Sequence, residues 1–340
     1  MPCLMPPILL NSNVTLIDKA CEAYQIGRRL SEPIPCVGGL LHRVYQFDTS
    51  KCQFVIKFLN PAICSRPSYL DRYRITECIA GELSKHTSVI NAMLYQNNPF
   101  FIFNDETVMV FSYVKGKPLM QKKIRPYHVK QIAHALSKIH QANISVDNAP
   151  PVEPPSETLF KITSAHFEIS KQFQHSLPML EFILKNILKY EGILKNNLVI
   201  SHRDCDPKNV LWDADDHFYI IDWESAGLIN KKKDVIATAI YWSLDDSFKI
   251  NLDHLSVFLK AYQEENPNVI CRDEIEAGFY GFMGDWLGWL EFNLLRIQNN
   301  LESSEEYSLG VTEASKTLSA IPVLLTQLPE IISESLKCFT

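Results

Sequence analysis

Hydrophobic and polar positions along the first third of the chain follow the rhythm of strands. Residues 41–47 and 53–59 are β-rich runs separated by the turn-like stretch 48–52, a pattern that predicts a hairpin, and 37–39 reads as a turn before it. Residues 100–104 and 107–114 are again strand-like, broken by Asp105 and Glu106, and Lys115-Gly116-Lys117-Pro118 ends the sheet. Between these two pairs, Ile75, Cys78, Ile79 and Leu83 share one face at helical spacing and predict a helix over 72–86.

The pattern then becomes helical. Over 127–141, Val129, Ile132, Ala133, Leu136 and Ile139 form an amphipathic stripe. Residues 149–155 hold four prolines in seven positions and read as an extended loop, because proline fixes φ and removes a donor. Residues 177–195 read as another helix. Two short strand-like runs follow, 198–201 and 218–222, and from Asp234 the chain reads as helices to its end. The expectation is an α+β fold in which a small strand-rich unit (1–114) precedes a larger helical one (115–340), joined near 112–118.

Composition narrows the function. The 340 residues include 33 Lys+Arg and 39 Asp+Glu, a net charge of −6, which argues against general affinity for nucleic-acid backbones and leaves room for a cationic small molecule. The nine cysteines are irregularly spaced with no CxxC, so neither a disulfide framework nor a zinc knuckle is expected, and a reducing cytoplasm is. The N-terminal stretch lacks a positive region and is interrupted by prolines, so no signal peptide is expected. The longest apolar runs, 235–241 and 321–325, fall far short of the ~20 residues needed to cross a bilayer.

The informative segment is 201–227. His202-Arg203-Asp204 is followed by four residues and then Asn209; thirteen residues later comes Asp222, at the end of an apolar run. This is the spacing of a phosphoryl-transfer loop. Such chemistry asks for an aspartate that accepts or orients the proton of an attacking hydroxyl, here Asp204. It also asks for an amide oxygen and a second carboxylate that hold Mg2+ on nucleotide phosphates, here Asn209 and Asp222. An isolated HxD is common and often structural. These three residues at these spacings, flanked by two strand-like runs, are not expected by chance, and His202 fits a role in hydrogen-bonding the loop.

On these residues the chain resembles the aminoglycoside phosphotransferase and choline kinase superfamily, small-molecule relatives of protein kinases. Asp222-Trp223-Glu224 stands where protein kinases have D-F-G, and only twelve residues separate Asp222 from Asp234, with no A-P-E segment. The resemblance spans about residues 38–289. It implies a two-lobed, protein-kinase-like fold with ATP or GTP between the lobes and residues 1–114 as the nucleotide-binding lobe. Lys57 of Val55-Ile56-Lys57 is then the strand lysine that meets the phosphates, with Glu77 as its ion-pair partner and Glu82 as the runner-up. Gly39 of the Gly38-Gly39 pair marks the phosphate-covering loop, and backbone groups at Ser112 and Val114 lie at the base-binding hinge. Asp234 buttresses the catalytic loop, an acidic residue at the place of Glu224 can assist the metals, and the Lys231–Lys233 run reads as a solvated loop.

For the acceptor, acidic and aromatic residues occur together at Tyr241, Trp242, Asp245, Asp246, Tyr280, Asp285, Trp286, Trp289 and Glu291. That mixture suits a cation, although Trp286 and Trp289 at helical spacing read as core. Asp285 is the preferred substrate contact, with Glu224 as a second. The implied function is transfer of a γ-phosphoryl group from ATP or GTP, with Mg2+, to a hydroxyl of a small, cationic acceptor: an aminoglycoside-like compound, choline, or another amino alcohol or sugar. The rival readings are an atypical protein kinase, a nucleotide-binding regulatory protein without catalysis, and a drug-sequestering protein that needs no nucleotide.

Overall fold

The computed structural model describes residues 11–36, 42–64, 68–151, 157–162, 167–267, 270–300 and 304–339. Its chain divides into two compact units. The first contains residues 1–119, 144–150 and 207–226; the second contains 120–143, 151–206 and 227–340. The segment around the metal-ligand candidates thus belongs with the N-terminal residues. In physical terms, β-pairing recruits it: a strand at 117–118 pairs with one at 210–212, and Val89 bridges Ile220.

The first unit opens with helix α1 (Asn11–Ala23). Strands β1 (Ile34–Pro35), β2 (Arg43–Asp48), β3 (Gln53–Phe58), β4 (Phe101–Phe103) and β5 (Glu106–Ser112) form an antiparallel sheet in the order β1-β2-β3-β5-β4. The predicted hairpin is present, with Arg43 opposite Phe58 and Asp48 opposite Gln53. Period-two alternation sorts β3 cleanly. Phe54, Ile56 and Phe58 face a core that includes Leu16, Ile17, Ala20 and Cys21 of α1. Lys57 therefore lies on the opposite face, beside Met109, which packs with Tyr73. Tyr73 belongs to α3 (Tyr69–Leu83), which follows the short α2 (Pro61–Cys64). Strands β6 (Lys117–Pro118), β8 (Val210–Trp212) and β9 (Phe218–Ile220) complete the unit as a small antiparallel sheet. Gly116 permits that pairing, because a Cβ there would sit 3.1 Å from the Trp212 backbone.

The second unit is mostly helical: α4 (Pro126–Gln141), α5 (Phe167–Lys189), α6 (Glu191–Leu194), α7 (Lys231–Tyr241), α8 (Leu252–Glu265), α9 (Arg272–Asn299), α10 (Glu305–Thr326) and α11 (Leu328–Phe339). An antiparallel pair joins β7 (Leu198–Ser201) to β10 (Gly227–Asn230), with Ser201 opposite Gly227. Helix α5 begins ten residues before the predicted start and runs through Pro178. Buried Ile169, Phe173, Leu180, Ile183 and Ile187 continue its stripe, so packing outweighs the lost backbone bond. The organisation is the α+β one that the pattern predicts. The cysteines among the described residues are free, and no helix among those residues is long and apolar enough to cross a membrane.

Candidate active site

In the sheet-bearing unit, Lys57, Asp222 and Glu224 meet. Lys57 Nζ donates to Asp222 Oδ1 at 2.7 Å and to Glu224 Oε2 at 2.9 Å. The turn between the two acids explains their approach. Trp223 is buried, and its Nε1 donates to the Ile220 carbonyl at 3.2 Å, pinning the middle residue inward. Asp222 adopts left-handed backbone (φ 65°, ψ 61°), a conformation that aspartate tolerates better than most side chains. With the turn anchored, the carboxylates on either side of Trp223 reach one ammonium.

The electrostatics follow from burial against charge. Burial works against the Lys57 ammonium, but Asp222 and Glu224 outweigh it and hold its pKa above that of an ordinary lysine. Burial likewise disfavours the Glu224 carboxylate, yet Lys57, then His42 and Tyr73, hold its pKa well below the usual carboxylate range. The side chains of two of these contributors, His42 and Tyr73, were not expected at the site from the sequence. Tyr73 Oη donates to Glu224 Oε2 at 2.5 Å, and His42 Nε2 lies 3.4 Å from the same oxygen.

Glu77 is not the ion-pair partner of Lys57. Its Oε2 accepts the Ala92 N–H at 2.7 Å, and it is 8% exposed. Burial pushes its carboxyl up to about 7, against the lowering effects of the Ala92 N–H and Lys57. A carboxyl titrating near 7 is only partly charged at neutral pH and competes less well for Lys57 than Asp222 and Glu224. The runner-up, Glu82, pairs with Lys85 on the helix surface.

Asn209 is buried at the end of a short 3-10 turn. The β8–β9 ladder pairs Val210 with Ile220, and the Asn209 carbonyl accepts the Ile221 N–H at 2.9 Å. That register puts Asn209 opposite Ile221, the residue before Asp222. Ser112 ends β5, and the Val114 carbonyl accepts the Gly116 N–H at 2.9 Å. Gly39 lies outside the described residues.

Asp204 belongs to the helical unit, on the loop after β7. Its N–H donates to Nδ1 of fully buried His202 at 3.2 Å, the loop-bracing role expected of that histidine. Arg203 has φ 69°, and its Nη1 donates to the Pro151 carbonyl at 3.2 Å. Trp242 adds support that the sequence did not reveal: its buried Nε1 donates to the Cys205 carbonyl at 2.8 Å. Asp234 is buried, accepts from His140 Nε2 at 2.9 Å, and is held below the usual range by His140 and His202 despite burial. Its charge therefore sits beside His202, as a buttress to the loop requires. His140 Nδ1 lies 2.7 Å from the Tyr262 hydroxyl, extending the chain to α8.

The acceptor candidates are redistributed. The lysine run is not a solvated loop but the first turn of α7, and Lys233 is buried. Lys233 Nζ donates to Asp285 Oδ1 at 2.8 Å, so the preferred acidic contact already has a cation. The lysine stem threads past Gly281, where a Cβ would lie 2.8 Å from Lys233 Cδ. Burial, followed by the charges of Asp204, Asp285 and Asp206, raises the Tyr241 phenol well above its ordinary value. Trp286 and Trp289 are half-buried rather than core, and Trp289 Nε1 reaches Glu313 at 3.3 Å. Tyr280 is buried and stacks on Tyr190. Asp245 closes a local turn by accepting from Ser247 and Lys249, Asp246 is exposed, and Glu291 accepts from Thr158.

Comparison with known proteins adds a family and a fold. A model of a phosphotransferase enzyme family matches residues 33–256. Among solved structures, a spectinomycin phosphotransferase in complex with ADP and spectinomycin superposes with a TM-score of 0.68 at 13% identity, covering 94% of this chain and 99% of that one. An ethanolamine kinase of Plasmodium vivax gives a TM-score of 0.59 at 14% identity, covering 87% and 83%. A choline kinase of Cryptosporidium parvum gives 0.54 at 14%, covering 96% and 100%. At such identities the likeness is one of fold. No curated protein matches.

Proposed function

The chain belongs to the phosphotransferase enzyme family, and from that premise we propose that it transfers the γ-phosphoryl group of ATP or GTP to a hydroxyl of a small cationic acceptor. The observation that carries this reading is the meeting of Lys57, Asp222 and Glu224, with Asn209 paired to Ile221, one residue before Asp222. Lys57 supplies a cation for the phosphates. Asn209 and Asp222 supply an amide oxygen and a carboxylate, hard oxygen donors that suit Mg2+. Asp222 is 38% exposed with one oxygen on Lys57, so its other oxygen remains for a metal. Bound there, Mg2+ would neutralise phosphate charge and orient the γ-phosphate. Backbone groups at Ser112 and Val114 receive the base.

Asp204 serves as base. As the acceptor oxygen bonds to the γ-phosphorus, its proton passes to the Asp204 carboxylate. The bond from the γ-phosphorus to the bridging oxygen breaks, and the nucleoside diphosphate leaves. The charges of Asp204 and Asp206 act on Tyr241, as does that of Asp285, which Lys233 already pairs; the acidic and aromatic character favours an amino-bearing acceptor. Proteins of similar fold act on spectinomycin, ethanolamine and choline, by their names. An aminoglycoside-like compound or an amino alcohol is the class this supports. The unpaired cysteines support a reducing cytoplasm as its place of work.

Thermal-shift titration tests the reading. Mg-ATP or Mg-GTP at 100 times its Kd should stabilise the protein by about 2.7 kcal/mol. Asp222→Ala should abolish the metal-dependent part of that shift. A parent protein indifferent to both nucleotides, or a variant retaining the full Mg2+ dependence, contradicts the assignment.

A further inference from the structure

Resting on that reading of the nucleotide side, we infer that Tyr73 and His42 are positioning residues: a hydrogen-bond chain from the Asn60 backbone through both side chains fixes the Glu224 carboxylate, and through it the Lys57 ammonium. The chain starts where the β2–β3 hairpin ends. Arg43 opposite Phe58 closes the ladder and brings His42 against Asn60, whose N–H donates to His42 Nδ1 at 3.0 Å. That bond leaves the ring proton on Nε2. Nε2 then donates to Tyr73 Oη at 2.8 Å, Tyr69 Oη donates to the same oxygen at 3.3 Å, and Tyr73 donates to Glu224 Oε2.

The Tyr73 hydroxyl thus has its single donor and both acceptor places filled. It has one orientation that satisfies all three partners, and that orientation aims its proton at Glu224. Packing holds the ring as firmly. Tyr73 is 3% exposed, and His42 and Phe100 each meet it edge-on with centroids 6.1 Å away. Burial first, then the Glu224 charge, raises the phenol far above its ordinary value, so it remains a donor.

Glu224 takes its contacts on one oxygen, Oε2, to which His42 also lies within 3.4 Å. Oε2 takes Tyr73 and Lys57, while Oε1 has no partner among the described residues. A carboxylate clamped at one oxygen keeps the other in a fixed direction and keeps Lys57 in reach of Asp222. Neither Tyr73 nor His42 touches a reacting atom in this account; each acts through Glu224.

A double-mutant cycle tests the inference. Nucleotide Kd is measured by calorimetry, with Mg2+ and with the metal chelated, for the parent, Tyr73→Phe, Glu224→Gln and the double variant. The nucleotide KM and kcat for slow transfer to water are followed alongside. Loss of a hydrogen bond to a charged group should weaken nucleotide binding about 10- to 100-fold in Tyr73→Phe. The chelated series should weaken in the same direction, because Lys57 is displaced whether or not metal is present. In the Glu224→Gln background, Tyr73→Phe should add less than about 3-fold. Additive effects, or a Tyr73→Phe protein that binds like the parent, overturn the positioning role. His42→Leu provides a second route if Tyr73→Phe loses its cooperative melt: its weakening must likewise vanish in the Glu224→Gln background. A parent that binds no nucleotide overturns the functional reading and this inference with it, whereas a binding parent with additive variants overturns the inference alone.

Discussion

Lys57 and Asp222 are 165 residues apart in the chain, yet the Lys57 ammonium donates to the Asp222 carboxylate at 2.7 Å. Together with Glu224 they form a charge cluster whose balance depends on the single lysine. Lys57→Met should destabilise the protein by about 1–3 kcal/mol at pH 7. That is less than the cost of breaking a fully buried pair, because Asp222 is 38% exposed. The sign of the pH dependence follows from Glu224. Its folded pKa lies below its ordinary value, so its contribution is present above about pH 4.5 and is lost as pH falls further. Denaturant unfolding should therefore show the gap between parent and variant widest near neutrality and narrowing in acid. A gap independent of pH contradicts the pairing.

Glu77 predicts the opposite slope. Its carboxyl is pushed up to about 7 from an ordinary 4.5, so the folded protein holds a proton that the unfolded chain has released across that window. Stability contributed by Glu77 is full below about pH 4.5 and is lost as pH rises toward 7. At 1.36 kcal/mol per pH unit the loss is of the order of 3 kcal/mol. Glu77→Gln should remove it. Urea unfolding at pH 5 and pH 8 should show the parent losing ground to the variant as pH rises; parallel profiles would mean that Glu77 is ionised in the fold.

Much of the frame was legible in the sequence because local rules governed it. Phe54, Ile56 and Phe58 alternate, so β3 and the placement of Lys57 on the other face follow from the pleat. The spacing of Asp204, Asn209 and Asp222 follows from a short loop and a two-strand ladder. What was not legible depends on distant packing. Helix α1 offers only a brief apolar stripe at Leu16, Ile17, Ala20 and Cys21, and it is the sheet that gives that stripe its use. The early start of α5 was hidden by Pro178, which reads as a first-turn proline until the buried residues before it are seen. The preference of Lys57 for Glu224 over Glu77 could not be read from spacing, since it depends on where burial neutralises a carboxyl. Tyr73 gave no signal apart from ordinary core aromatics.

Lys233 was misread for a related reason. A run of three lysines suggests a solvated surface, but a lysine stem packs as a hydrocarbon when a gap is provided. Gly281 provides it, and this gives a sign-reversal prediction. Gly281→Ala should destabilise the parent by about 1–3 kcal/mol through overpacking against the Lys233 stem. In a Lys233→Ala background the same change should be neutral or stabilising by up to about 1 kcal/mol, because alanine is the better helix former. Thermal unfolding of the four proteins checks this. An equal penalty in both backgrounds would place the clash elsewhere.

The central claim is that Asp204 takes the acceptor proton while the Lys57, Asn209 and Asp222 side holds the nucleotide. The most direct measurement compares Asp204→Asn with the parent in nucleotide affinity and in diphosphate release, against a panel of amino alcohols and aminoglycosides. The amide keeps the size of the side chain and accepts a hydrogen bond, but it takes no proton at neutral pH. The account predicts an unchanged nucleotide Kd and a rate lowered about 10²–10⁴-fold, the contribution of a positioned base. That corresponds to roughly 3–5 kcal/mol of barrier. A variant that binds nucleotide equally well and turns over within a few-fold of the parent contradicts the assignment of Asp204 and with it the mechanism.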